Sequence, residues 1–238
     1  LKDKYTAARQ NVETKKNEYE QTQNEQKQTK VELDAKKADL EAQIAQANQV
    51  IASLESNIEA FKQQYEAEET QEAAIRSQID QQVAALEAQQ RAAAEAAKKN
   101  GTSYTVTNGT GQFTWPVPAS HTISSSFGYR VHPIFGTTKF HSGIDISAGS
   151  GSTIVAADSG TVLTATYSSS YGNYVVISHG NGTSTLYAHM SKLGCSAGQS
   201  VSKGSTIGYV GSTGWSTGPH CHFEIRINGS LVNPASYF

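Results

Sequence analysis

The first 99 residues contain no glycine, no proline and no histidine; all 20 Gly, 5 Pro and 7 His of the 238-residue chain follow them. A segment without Gly or Pro has nothing to break a helix, and one without His lacks a common proton-transfer and metal-binding side chain. The chain is therefore two things joined end to end, with its chemistry in the second. A strong excess of either charge is missing too. Residues 1–100 hold 14 Lys+Arg against 18 Asp+Glu, a net charge of −4, and the remainder 5 against 3, a net of +2. Neither value makes a basic face, so no nucleic-acid partner is expected. No run approaches the roughly 18 apolar residues that span a bilayer, which reads as a soluble piece. The first residue is Leu1 and the only methionine is Met190. We therefore expect that an upstream segment, with any signal peptide or anchor, has been removed, or that the chain is an excised piece.

What the first segment does have is a seam. From Leu40 the apolar positions step by alternating fours and threes through Ile44, Ala47, Ile51, Leu54, Ile58, Phe61 and Tyr65, which is the a/d pattern of a coiled coil. Before Leu40 one seam position is kept by Tyr5, Val12, Tyr19 and Leu33 and the other is filled by Lys16, Gln23, Lys30 and Lys37, so this half is weaker. The seam lapses at Glu66, Glu68, Glu69 and Glu72 and resumes at Ile75, Ile79, Val83 and Leu86. The lapse fits either a solvated patch or the bend of an antiparallel hairpin. A straight helix of this length would run roughly 150 Å and could not bury its stripe alone, so hairpin and coiled-coil dimer both fit.

Residues 100–112 (NGTSYTVTNGTGQ) have linker composition. From Phe113 the chain reads as short β-prone runs separated by Gly, with Asn181-Gly182 and Asn228-Gly229 as hairpin-turn dipeptides. The expected organisation is multi-domain: a coiled coil over 1–99, a linker over 100–112, and a mostly antiparallel β domain over 113–238.

Within that domain, His141 and Asp145 lie in HSGID, His189 in LYAHM, and His220 and His222 in PHCHFE. In a strand, side chains alternate faces, so His220 and His222 point one way; His141 and Asp145, four apart, also share a face. Imidazole and carboxylate are good zinc ligands, and a hydrolytic zinc takes three of them and keeps a position for water. Three of these residues can be ligands, which leaves two histidines for proton transfer.

FGYRVHP, FHSGIDI, LYAHM, GYVGSTG and GPHCHFEI, in this order over residues 127–225, resemble the lysostaphin-type, or LytM-like, zinc peptidoglycan endopeptidases. The resemblance covers nearly all of the second domain and none of the coil. It implies a zinc (Zn2+) endopeptidase that cuts peptide cross-links of bacterial peptidoglycan, secreted or held at the cell envelope. It further implies that His141, Asp145 and His222 are zinc ligands, with His189 and His220 as the catalytic pair. Cys221 stands where the family more often has an apolar residue such as Leu, and its side chain is expected to point away from the metal face. Glu224 is two residues from His222 on one strand face and can orient it, or pair with a cross-strand cation. Arg130 and His132 can line the groove or sit in a surface turn; Trp215 can bind substrate or pack on the sheet. His121 and His179, beside turn residues, read as solvated. In an exported chain Cys195 and Cys221 can form a disulfide; two buried free thiols are the rival.

A coil ahead of such a domain also resembles cell-wall hydrolases and division-associated hydrolase activators. The alternative reading is thus a non-catalytic activator of a separate amidase, although all five site residues are present here. A carrier of biotinyl type would need a modifiable Lys at a hairpin tip, and Asp158-Ser159-Gly160 supplies none. An unrestrained wall hydrolase would lyse its owner. The coil is therefore expected to bind an envelope or division protein, or to pack over the cleft until one arrives, with a passive spacer as the rival.

Overall fold

The computed structural model describes residues 2–131 and 138–238. Helix α1 runs unbroken from Lys2 to Lys99, as a Gly- and Pro-free sequence rich in Ala, Gln, Glu and Lys dictates. It ends where the first glycine allows it. Gly101 takes φ +68°, Gly101 N donates to Lys98 O (3.3 Å) and Thr102 N to Ala97 O (2.9 Å), a Schellman turn. Residues 66–72 are helical, so the antiparallel hairpin is not formed: a polar lapse in a seam removes burial but no backbone hydrogen bond.

The chain forms two compact units, Leu1–Gln64 and Tyr65–Phe238. In the first, the seam residues Leu40, Ile44, Ile51, Leu54 and Ile58 are exposed. No described helix is long and apolar enough to cross a membrane.

The second unit joins the last part of α1 to short strands. In chain order these are β1 (Ile123–Ser125), β2 (Gly128–Val131), β3 (Thr138–His141), β4 (Ile144–Ser147), β5 (Thr153–Val155), β6 (Gly160–Ser168), β7 (Gly172–Gly180), β8 (Thr183–Leu193), β9 (Ser200–Val201), β10 (Thr206–Val210), β11 (His220–Ile227) and β12 (Ser230–Val232). The large sheet runs β1-β4-β11-β8-β7-β6-β9, with β12 on β11 and β10 bridging β5 and β8; β2 and β3 pair separately. The described pairings are antiparallel. Asn181 and Gly182, at φ 52° and 72°, turn β7 into β8, and Asn228 and Gly229, at 49° and 76°, turn β11 into β12. Both are the left-handed pairs expected of Asn-Gly hairpins.

The sheet is apolar on both faces. On β11, Cys221, Phe223 and Ile225 enter a core with Ile144, Ile146, Val175, Ile177 and Tyr187. The opposite face presents Tyr174, Val176, Leu186 and Ala188, and the resumed seam residues Ile75 and Ile79 of α1 are buried against them, with Val83 alongside. An apolar stripe on a helix says that a partner exists, not which; here it is a sheet rather than another helix. Burying two Ile side chains contributes about 3–6 kcal/mol to holding this part of α1 in place. In the segment expected to be a linker, Gly109 N donates to His179 O (2.8 Å), and Thr110 N and Gly111 N donate to the buried Asp158 carboxylate (2.6 and 2.8 Å).

Cys195 and Cys221 are free. The Cys195 thiol lies 3.6 Å from Ile207 O and the Cys221 thiol 3.7 Å from His222 O, and burial raises the pKa of each. Denatured, unreduced protein should therefore titrate as two reactive thiols per chain; a chain with no reactive thiol would overturn the free state.

Candidate metal centre

The antiparallel register of β4 against β11 sets Asp145 opposite His222, and His222 in turn sits opposite Ala188 on β8. His141 ends β3, and Gly143 turns the chain from it into β4. A Cβ at Gly143 would lie 2.2 Å from Phe223 O, so only glycine lets the HSGID backbone approach β11 this closely. Alternation then puts His220, His222, Glu224 and Arg226 on one face and Cys221 in the core behind, as the period-2 pattern requires.

Three atoms converge. His141 Nε2 is 3.1 Å from His222 Nδ1 and 3.2 Å from Asp145 Oδ1, and His222 Nδ1 is 2.9 Å from Asp145 Oδ1. Ligands at 2.0–2.1 Å from one tetrahedral zinc stand about 3.3 Å apart, so this triangle has very nearly the edge length that such an ion needs. Among the described residues, these three form the group able to hold a metal ion. The two histidines are oriented from behind. His141 Nδ1 donates to Ser126 O (2.9 Å), which leaves Nε2 to face the other two atoms. His222 Nε2 faces Glu224 Oε1 at 3.2 Å, which leaves Nδ1. Such partners fix the tautomer and the ring orientation of a metal-binding histidine.

Beside the triangle stand His189 and His220, ring centroids 4.7 Å apart. His220 Nδ1 donates to Gly218 O (2.8 Å) and its Nε2 is 3.7 Å from Asp145 Oδ1. His189 Nδ1 donates to Thr213 O (2.9 Å). Because a carbonyl only accepts, both rings carry hydrogen on Nδ1 and keep Nε2 as a lone pair. His189 has φ 59°, a left-handed conformation that is rare for a residue with a Cβ and concentrated at functional sites. Register shifts beside it, at Asn173/Val175 and at Tyr209/Val210, and a bond from His189 N to Tyr171 O (2.8 Å) hold it there.

The electrostatics follow burial and pairing. Burial alone would raise the Asp145 pKa, but hydrogen bonds from His141 and His222 hold it far below the usual carboxylate range. Burial would lower His222, but Asp145 and Glu224 on either side of its ring raise it to about 10. Burial, then the neighbouring His222 and His220, push His189 down to about 3. Burial would raise Glu224, but His222, Arg76 and Ser142 bring it down to about 2.

All five residues singled out from the sequence are thus brought together, and Glu224 supports His222 as one of its two readings required. Arg130 is exposed on β2, and His132 lies outside the described residues. Trp215 is half-buried, with its ring edge-on to Tyr65 at 5.2 Å. His179 corrects its expectation: it is buried, with Nδ1 on Ser159 O and Nε2 on Thr185 Oγ1, both at 2.8 Å, because neighbouring strands close over the turn. His121 stacks on Trp115. Sequence reasoning missed three residues around Glu224. Ser142 Oγ and Tyr171 Oη donate to Glu224 Oε1 (2.6 and 2.9 Å), and Arg76 of α1 donates from Nη2 to Ser142 Oγ (3.0 Å) and from Nε to Tyr171 Oη (3.2 Å). Ser142 sits inside HSGID and could have been noticed; Tyr171 and Arg76 carry no local signal.

Known proteins are similar to this part of the chain. Residues 139–234 match the family described as Peptidase family M23. The DD-carboxypeptidase/endopeptidase Mpg of Neisseria meningitidis serogroup B is 51% identical over 114 residues, which are 48% of this chain and 26% of that protein. The peptidoglycan DD-endopeptidase ShyC of Vibrio cholerae serotype O1 is 42% identical over 113 residues, 47% of this chain and 26% of that protein. The chain thus spans about a quarter of the length of the curated relatives it matches. Among solved structures, a zinc-containing peptidase from Vibrio cholerae is similar at a TM-score of 0.48, with 31% identity, over 56% of this chain and 41% of that one. The family match takes in His141, Asp145, His189, His220 and His222 alike, and residues 139–234 are a domain of peptidase family M23.

Proposed function

We propose that the protein is a zinc endopeptidase that hydrolyses peptide cross-links of bacterial peptidoglycan in the cell envelope, with the coil for regulation or docking. The observation that carries this reading is the triangle of His141 Nε2, Asp145 Oδ1 and His222 Nδ1, with two more imidazoles beside it. Its donor set, one carboxylate and two imidazoles, suits a hydrolytic zinc. Bound there, zinc would supply Lewis acidity for the scissile carbonyl and make a water easier to deprotonate for attack on it. The chain's own residues do the rest. His189 and His220 each present Nε2 as a lone pair while Nδ1 is tied to a carbonyl, so either ring can take the water's proton as attack proceeds and then, as the imidazolium so formed, return it to the leaving amine. Names of relatives support the substrate class, since ShyC is a peptidoglycan DD-endopeptidase. The completeness of the constellation favours an enzyme over a non-catalytic activator of an amidase, which has no use for a metal triangle or for two oriented bases. Digestion of purified sacculi by the zinc-loaded protein, with released muropeptides identified by mass, should show cleaved cross-links. Intact sacculi, together with stimulation of an added amidase, would establish the activator instead.

A further inference from the structure

One carboxylate oxygen backs the His222 ring. Glu224 is fully buried, and its Oε1 faces His222 Nε2 at 3.2 Å while accepting hydrogen bonds from Ser142 Oγ (2.6 Å) and Tyr171 Oη (2.9 Å). Ser142 follows His141 in the chain, and Tyr171 O accepts from His189 N (2.8 Å). Both hydroxyls therefore belong to residues already tied to the metal centre. A hydroxyl can donate or accept, and its hydrogen turns to suit its neighbours. Its direction has to be set from outside.

Arg76 of α1 sets it. Its Nη2 lies 3.0 Å from Ser142 Oγ and its Nε 3.2 Å from Tyr171 Oη. A guanidinium only donates, so each hydroxyl accepts from it and is left to send its own hydrogen to Glu224. The two hydroxyls need a fork of donors, which an ammonium, a single point, does not offer. The helix holds the guanidinium in turn. Glu72, one turn earlier, pairs with Nη2 at 2.7 Å, and Ile75 and Ile79 on the adjoining stripe are buried against the sheet. One turn later Asp80 meets Arg226 Nη2 at 2.9 Å, and Arg226 Nη1 is 3.8 Å from Glu224 Oε2. Glu72, Arg76 and Asp80 stand at i, i+4 and i+8, a row of alternating charge on one helix face. That row approaches both oxygens of the Glu224 carboxylate.

We propose that Arg76 is a positioning residue of the metal centre: through Ser142 and Tyr171 it fixes Glu224, and through Glu224 the His222 ring, so that metal binding and the docking of α1 strengthen each other. Partners behind a metal-binding histidine change metal affinity by about 10- to 100-fold. Coupling between two binding events is reciprocal, so what the helix gives the ion, the ion gives the helix. The inference rests on the metal reading above and extends it: residues 72–80 serve the metal-binding domain and are more than the end of a coil.

The test is the zinc affinity of the full chain, measured against a competing chelator. Arg76→Gln should raise the zinc Kd about tenfold, and Arg76→Lys, which keeps the charge without the fork, should restore only part of that. Glu224→Gln should weaken zinc at least as much, and adding Arg76→Gln to it should change little further, since both act along one path. The cobalt form gives a reading that stability alone does not move. Its visible bands follow the geometry at the ion, and Arg76→Gln should shift them while circular dichroism shows an intact fold. Zinc should also slow amide exchange over residues 72–80 in the wild type, and do so less in Arg76→Gln. If Arg76→Gln does not fold, Arg76→Lys against wild type carries the comparison. Equal zinc affinity and equal cobalt bands in the folded variants and the wild type would overturn the proposal, as would losses from Arg76→Gln and Glu224→Gln that multiply in the double variant. A wild-type chain that holds no zinc would sink the metal reading itself, whereas tight zinc indifferent to Arg76 would sink this inference alone.

Discussion

Asp145→Ala should lose most of its zinc and all measurable hydrolysis while the β domain stays folded. Oδ1 of this carboxylate is one corner of the triangle, 3.2 Å from His141 Nε2 and 2.9 Å from His222 Nδ1. It is also the anionic member of the set, so its removal leaves two imidazoles to hold a dication. Two ligands fall short of the three that a catalytic zinc draws from protein. The fold has no such dependence. Asp145 joins the sheet through its backbone, in register with Ser125 and His222, while its buried neighbours Ile144 and Ile146 make the core contacts. Elemental analysis beside a far-ultraviolet circular dichroism spectrum decides it. Full zinc occupancy in the folded variant would remove Asp145 from the ligand set.

The site was legible in the sequence because strands impose it. A period of two places His220 and His222 on one face whatever the rest of the fold does, and the same rule sent Cys221 to the core, where it is fully buried. The Asn-Gly turns were legible for a similar reason, since two consecutive positive φ values suit few other dipeptides. What stayed hidden depended on tertiary contact. Ile75, Ile79 and Val83 read as a seam awaiting a second helix, yet they pack on Tyr171, Val176 and Leu186. Arg76 is one polar residue among many in α1, and Tyr171 lies in SSSYGN without a motif. Only the folded register brings both to Glu224. His179 was misread as solvated because its turn-side position was visible and the strand that covers it was not.

Exchange of either base should give the opposite signature from Asp145. His189→Ala and His220→Ala are each expected to keep wild-type zinc and slow hydrolysis roughly 10²–10⁴-fold, the contribution of one positioned general acid or base. That range corresponds to about 3–5 kcal/mol of transition-state stabilisation. Zinc should stay because neither residue belongs to the triangle; the nearer of them, His220, keeps its Nε2 at 3.7 Å from Asp145 Oδ1. The rate should fall because each ring is committed to proton transfer by its own carbonyl, Thr213 O for His189 and Gly218 O for His220. Loss should show mainly in kcat, since a base acts on the reacting water and not on the resting peptide. His189 offers a further check. Its φ of 59° is a strained conformation for any side chain, so His189→Gly relaxes the backbone and should be as stable as wild type or more so while remaining as slow as His189→Ala. Wild-type turnover in any of these variants at full zinc loading would release that residue from the chemistry, and zinc lost in step with rate would move it into the ligand set.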